Sequence, residues 1–203
     1  MANERLTDNI IKKLLDAANI SFYPNGSDIV EIQRALSTAS KRGTNKQGFP
    51  EFTAVVNDFV IVIEDKAESK FQANYFDERT LLMDEKSIIN YAENGALHYA
   101  LKIIESSHYK KVFAFGCSGV DEKKILIRPI FVSPSGYKIM KVVKNFSNFK
   151  VENIQGYYEG DVCENKPLEQ VELEDIIFRS KQLNKDLRNY GQLRDTEKPL
   201  VVY

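Results

Sequence analysis

An α/β domain with a mixed central sheet of four to five strands flanked by helices is the fold class this sequence predicts, on three observations. Residues 52–56 and 59–66 read as two strands on either side of Asn57-Asp58, a two-residue hairpin connection. Between that hairpin and the apolar run at 112–118 lies a stretch with helical apolar spacing, so the strands it joins are parallel neighbours in a βαβ crossover. The chain has 203 residues, 43% of them hydrophobic, enough for one core that buries roughly 70% of the unfolded surface without disulfide staples.

The elements follow in chain order. Residues 4–19 place Leu6, Ile10, Ile11, Leu14, Leu15 and Ala18 at helical spacing. After a turn at Pro24-Asn25-Gly26, Ser27 is a candidate N-cap for a second helix that spaces Ile29, Ile32, Leu36 and Ala39 and runs to about Lys41. Residues 43–48, bounded by glycines, form a loop. The second hairpin strand is apolar on both faces and belongs in the middle of the sheet. Residues 71–84 are polar and irregular. Asp84 or Ser87 opens a long helix to about Ser106, with Ile88, Ile89, Ala92, Leu97, Ala100, Leu101 and Ile104 on its buried stripe. Val112–Gly119 is a buried strand, and a tight turn near Asp121-Glu122 leads to another at 124–132. No clear pattern marks 133–170. A final amphipathic helix is expected at roughly 172–190, ahead of an apolar end, Pro199–Tyr203, that suggests a chain continuing into something longer.

Composition excludes several classes. Twelve Phe and ten Tyr dispersed among 28% charged residues rule out disorder over most of the length. Phe59–Ile63, the longest apolar run, is far short of the roughly 20 residues that span a bilayer, so no membrane partner is expected. The start of the chain has no apolar signal core. Cys117 and Cys163 have no metal-finger spacing and are expected as free thiols in a reducing, cytoplasmic compartment.

A net charge of −1 argues at first against nucleic acid. Its distribution argues differently. From Ile32 to Pro50 there are four bases (Arg34, Lys41, Arg42 and Lys46) and no acid, and from Lys123 to Val151 seven bases and no acid. The segment from Glu152 to Tyr203 holds 11 acids against 7 bases. Such basic stretches either track a phosphate backbone or simply solubilise the surface.

One constellation stands above background. Pro50-Glu51 opens the first hairpin strand and Glu64-Asp65-Lys66 ends the second. Strand side chains alternate, so Glu64 and Lys66 share a face while Asp65 points away. Pairing around Asn57-Asp58 makes opposed residues sum to about 115, which sets Glu51 against Glu64. Two carboxylates without imidazole or thiolate suit a hard cation such as Mg²⁺, held jointly with a substrate phosphate, and Lys66 would orient the attacking water or neutralise developing charge. The bland alternative is an exposed Glu64–Lys66 ion pair where the strand emerges. Other templates fail: Gly43–Gly48 has the glycine spacing of a phosphate loop but is followed by Phe49-Pro50 rather than Lys-Ser/Thr, and there is no Gly-x-Ser-x-Gly elbow.

GFPEF at 48–52, VIVIEDKAE at 60–68, YAENGALHYA at 91–100 and VFAFGCSG at 112–119 together resemble the PD-(D/E)xK nuclease domain at the N-terminus of restriction-modification enzymes (type I-like and type IIG) fused to an adenine-specific DNA methyltransferase. LRNYGQLRDTEKPLVV at 187–202 is similar to the helical linker that leads into the methyltransferase. The resemblance implies a restriction-endonuclease-like fold, a nuclease domain over 1–170, and a linker over 171–203 leading towards a methyltransferase region absent from this chain. It implies catalytic roles for Glu51, Glu64 and Lys66. Glu51 stands where the general motif has aspartate. Related nucleases add an acid from the preceding helix, which makes Glu31 a third metal candidate beside Glu51 and Glu64, with a solvated helix glutamate as the alternative. Lys41, Arg42 and Lys46 are DNA-binding candidates. His98 on the helix after the hairpin joins them, unless it is a satisfied core or rim residue.

The function implied is a Mg²⁺-dependent DNA endonuclease, with Mn²⁺ as a substitute. It would act as the cleavage module of a restriction-modification enzyme, with double-stranded DNA as substrate and with methyltransferase and target-recognition domains in the same or an associated chain. The alternative is a DNA-binding or scaffold module that keeps the fold with weak or no activity.

Overall fold

The computed structural model describes residues 4–164; the helix expected at 172–190 and the 171–203 linker lie outside the described residues. Helix α1 (Glu4–Ala17) leads to strand β1 (Tyr23–Pro24), α2 (Val30–Leu36) and the hairpin β2 (Phe52–Val56) and β3 (Phe59–Lys66). Next come α3 (Glu85–Asn90), α4 (Ala92–Ser106), β4 (Val112–Ser118), β5 (Leu126–Ser133), β6 (Gly136–Ile139) and a short α5 (Ile154–Tyr157). The strands form one six-stranded sheet whose spatial order follows the chain. β3 runs parallel to β4 and every other pair is antiparallel. The sheet is mixed, as expected, but has six strands rather than four or five. The additions are the edge strands β1 and β6, two and four residues long and too short to leave an alternating pattern.

Two helices differ from expectation for reasons that involve distant backbone. α2 begins after Ile29 and stops at Leu36, five residues early. The Ser27 hydroxyl accepts the Ile29 N–H at 3.2 Å in a local turn instead of capping the helix. The Leu36 carbonyl accepts the Gly48 N–H at 2.9 Å, so the returning loop satisfies the helix end. The long helix expected to Ser106 is broken at Tyr91, which is extended (φ −117°, ψ 138°). Asp84, rather than Ser87, caps the first piece by accepting the Ser87 N–H at 3.0 Å. The second piece is captured at its own start: Glu93 N–H donates to the Gln72 carbonyl at 2.9 Å, and the Asn94 side chain bonds Asn74 and Leu82.

Two apolar layers enclose the sheet. On one face Ile11 and Leu15 of α1 meet Phe52, Ile61 and Ile63. Beside them the unpatterned segment after β6 supplies Phe146 and Phe149, which pack edge-on against Phe115 at 5.1 and 4.7 Å. On the other face Val60, Val62, Ala114 and Ile130 lie under Ala96, Leu97, Ala100 and Ile103 of α4 and Ile32 and Leu36 of α2. Leu101 is 38% exposed and off the stripe; Tyr99 and Ile103 are buried instead. No described helix is long and apolar enough to cross a membrane. Both cysteines are free, Cys117 buried and Cys163 exposed.

β4 lets α4 approach because residue 116 lacks a side chain. A Cβ there would lie 2.4 Å from Glu93 Cγ and 2.6 Å from the Glu93 amide nitrogen, and backbone cannot step aside. Gly116→Ala is expected to cost about 3 kcal/mol, read as a lowered midpoint in urea unfolding.

Candidate functional site

The hairpin register decides which side chains meet. Asn57 takes φ +54°, a left-handed conformation that asparagine tolerates, and closes the two-residue turn. The ladder pairs Val56 with Phe59 through to Phe52 with Ile63, so one step further Glu51 stands opposite Glu64. Glu51 is held there by the edge strand, since its carbonyl accepts the Asn25 N–H at 2.9 Å and that of Pro50 accepts Gly26 N–H at 3.0 Å. Even-numbered β3 residues face α4. Glu64 and Lys66 therefore lie on the α4 side, and Asp65 on the α1 side with Cys117 beside it in the parallel ladder.

Glu64 is completely buried. Its Oε2 accepts the Lys41 ammonium at 2.6 Å, whereas its Oε1 has no hydrogen-bond partner among the described residues. The Lys66 ammonium has no ion-pair partner among the described residues. Lys41, Arg42, Lys66, Gly48, Phe49 and Tyr99 line an open cleft of ≈ 380 Å³. Tyr99, on α4, accepts the Phe49 N–H at 3.1 Å through its hydroxyl, and burial together with the Glu64 carboxylate holds that phenol well above its ordinary range.

The carboxyls on either side of Glu64 are held towards their neutral forms. Burial, with the neighbouring Glu64 carboxylate adding to it, pushes Glu51 up to about 7. Burial, followed by the adjacent Asp8 on α1, pushes Asp65 up to about 9, and its Oδ2 has no hydrogen-bond partner among the described residues. A divalent cation between Glu51 and Glu64 would relieve that repulsion and give Glu64 Oε1 a partner. Among the described residues no three His, Cys, Asp or Glu side chains gather into a metal-holding group. The offer is thus two carboxylates and open solvent. That fits Mg²⁺, which keeps several waters and uses one or two carboxylates together with phosphate oxygens, and does not fit a closed zinc site.

The other candidate residues lie as follows. Glu31 is not brought to this pair: its carboxylate takes both the backbone N–H and Nδ1 of His108, near the start of β4. Glu64 is four residues along β3 from Val60, which pairs with that start, so about 13 Å of strand separates the two places. Hydrogen bonding by His108 lowers the Glu31 carboxyl below its usual range. His98 donates to the Ala39 carbonyl at 3.0 Å, which anchors the loop carrying Lys41, and burial lowers its pKa. Arg42 and Lys46 are exposed on that loop.

Over 207 aligned residues, the whole of this chain, it is 34% identical to the type II restriction enzyme and methyltransferase RM.BcgI of Heyndrickxia coagulans. It spans 32% of that protein's length. No family model matches the chain, and no solved structure matches it significantly.

Two features at this end of the sheet escape a reading of the sequence. One is the Lys41–Glu64 contact, made across a loop. The other is Glu93, completely buried, whose carboxylate accepts Gln72 Nε2 at 2.9 Å and the Tyr75 hydroxyl at 3.1 Å, with Arg128 Nη1 at 3.5 Å. Its signal was present: Glu93 stands three and four residues before Ala96 and Leu97, on the apolar stripe itself.

The electrostatics have a measurable consequence. In the folded, metal-free chain Glu51 keeps its proton to about pH 7, against 4.5 for the ordinary carboxyl. Between those values the folded state binds more protons, so the stability is fully present below about 4.5 and is lost as pH rises through about 7. Asp65 acts in the same direction between 3.8 and about 9. Urea unfolding in EDTA is expected to show the chain less stable at about pH 8 than at about pH 5. Glu51→Gln, half-buried and screened by solvent, should recover about 1–2 kcal/mol of that loss at the higher pH.

Proposed function

We propose that this domain is a Mg²⁺-dependent DNA endonuclease, the cleavage module of a restriction-modification enzyme whose methyltransferase and target-recognition parts lie in the same or an associated chain. The observation that carries the reading is the convergence of Glu51 and Glu64 at the open end of one hairpin, one with its carboxyl raised and the other with a buried oxygen, beside Lys66, neither that oxygen nor that ammonium having a partner among the described residues. The relative at 34% identity, named a restriction enzyme and methyltransferase, supports it, and so does the basic composition around Lys41, Arg42 and Lys46.

Glu51 and Glu64 would hold the cation, and Mn²⁺ is expected to substitute for it. When bound, such a cation supplies charge neutralisation at the scissile phosphate and acidifies a water beside it. The chain's own residues do the rest. Lys66, on the same face as Glu64 and two residues on, projects into the cleft where it orients that water and offsets charge developing on the phosphorane-like transition state. Arg42 and Lys46 bind flanking phosphates as point charges, without reading sequence. Tyr99 keeps the Phe49 backbone, and with it Pro50-Glu51, in place against α4.

The test is supercoiled-plasmid cleavage by the 203-residue chain with Mg²⁺ or Mn²⁺, compared with Lys66→Ala and Glu64→Gln. Each variant is expected to lose about 10²- to 10³-fold in rate while remaining folded by circular dichroism. Metal-dependent cutting that survives Lys66→Ala would show the wrong lysine has been assigned. Salt-sensitive DNA binding without any cutting would favour the scaffold module instead.

A further inference from the structure

The segment between α2 and β2 is held against neighbouring elements at both ends and exposed between them. At one end the Ala39 carbonyl accepts His98 Nε2 at 3.0 Å. At the other, Gly48 N–H donates to Leu36 and Phe49 N–H to the Tyr99 hydroxyl. A Cβ on Gly48 would meet both the Ala39 carbonyl oxygen and the Tyr99 ring at 2.4 Å, so this end is pressed against α4 with no slack. Residues 42–47 between the anchors are exposed, tied mainly by Ser40 N–H to the Lys46 carbonyl at 2.9 Å and Gly43 N–H to the Ser40 carbonyl at 3.2 Å. From the edge of this stretch Lys41 reaches inward. Its ammonium lies 2.6 Å from Glu64 Oε2 and 5.6 Å over the Tyr99 ring, with only 20% of its side chain exposed.

We propose that Lys41 is a resident counter-cation of Glu64, seated where the divalent cation is received, and that metal binding releases its ammonium to the phosphate backbone of the DNA. The proposal rests on the endonuclease reading above and names how that site is regulated. A buried carboxylate left without a cation is costly, and Glu64 has one oxygen bare even with Lys41 present. A Mg²⁺ ion taken by the bare Glu64 Oε1 would stand next to an ammonium 2.6 Å from Oε2 of the same carboxylate, and the two cations repel each other. Once displaced, the ammonium swings outward on its flexible four-carbon stem, which springs from a half-buried position at the edge of the exposed stretch. Arg42 and Lys66 line the same cleft, so the freed charge joins two cations already facing the open side. Lys41 thus opposes the metal while DNA is absent and favours the metal once a phosphate is there to receive it. Metal and DNA then bind cooperatively, by the same factor whichever comes first.

Calorimetric titration of the 203-residue chain with Mn²⁺ tests this. Lys41→Met keeps the apolar stem and removes the charge. It is expected to bind Mn²⁺ about tenfold more tightly than the wild-type chain in the absence of DNA. It should also lose the enhancement that Ca²⁺ gives to binding of a fluorescent DNA duplex, read by anisotropy. Unchanged or weaker Mn²⁺ binding by the folded variant overturns the proposal. A second measurement needs no variant: Mn²⁺ should speed hydrogen exchange of the amides of 40–47, read by mass spectrometry, and unchanged or slower exchange there overturns it equally. Glu64→Gln separates the two layers of argument. Mn²⁺ binding that is absent from both the wild-type chain and Lys41→Met, or that survives Glu64→Gln, sinks the endonuclease reading. Binding that needs Glu64 yet ignores Lys41→Met leaves that reading standing and removes only the role of Lys41.

Discussion

Everything at the open end of this sheet depends on one backbone conformation, the left-handed Asn57 that closes the β2–β3 turn. Side chains alternate along a strand, so the register it fixes puts Glu64 and Lys66 under α4 and Asp65 under α1. A slip of one residue would exchange them, placing Asp65 beside Glu51 and leaving Lys66 among the phenylalanines of the other layer. The apolar residues upstream guard against this slip. Phe59, Ile61 and Ile63 fill one layer and Val60 and Val62 the other, and the layers differ in size: aromatic rings on the α1 side, alanine-rich α4 on the other.

That same alternation explains how acids with different electrostatics sit next to each other in the chain. Glu51 and Glu64 lie on the α4 side of the sheet, beside the cleft that Lys41 and Lys66 line. Asp65 looks towards Asp8, deep enough that its carboxyl is pushed up to about 9. Three consecutive residues of β3 thus supply a carboxylate with a lysine at hydrogen-bond distance, a buried acid that favours its neutral form, and an unpaired ammonium. The strand needs no more than its period of two to sort them.

Local information was legible in the sequence and non-local information was not. The hairpin, its register, the opposition of Glu51 and Glu64 and the parallel crossover follow from turn chemistry and apolar periods that act over a few residues. The split at Tyr91 depends on Gln72 and Asn74 capturing the first turn of α4, and the early stop of α2 depends on Gly48 returning to Leu36. Neither partner lies within reach of a helical period. Lys41 and Glu31 illustrate the same limit for charges: one finds Glu64 and the other His108, both through contacts made by the fold. Residues 140–162 lacked periodicity because Phe146, Phe149, Ile154, Tyr157 and Tyr158 are inserted from short irregular turns into a layer built by other elements.

The strand β1 is only Tyr23 and Pro24, and it is the outer border of the sheet on the side of the candidate site. A border this short, with a proline that has no N–H to give, offers almost no template for a strand from another molecule. The backbone beside Glu51 is therefore sealed against zipper-like stacking of copies. What meets that rim does so through side chains rather than through strand pairing.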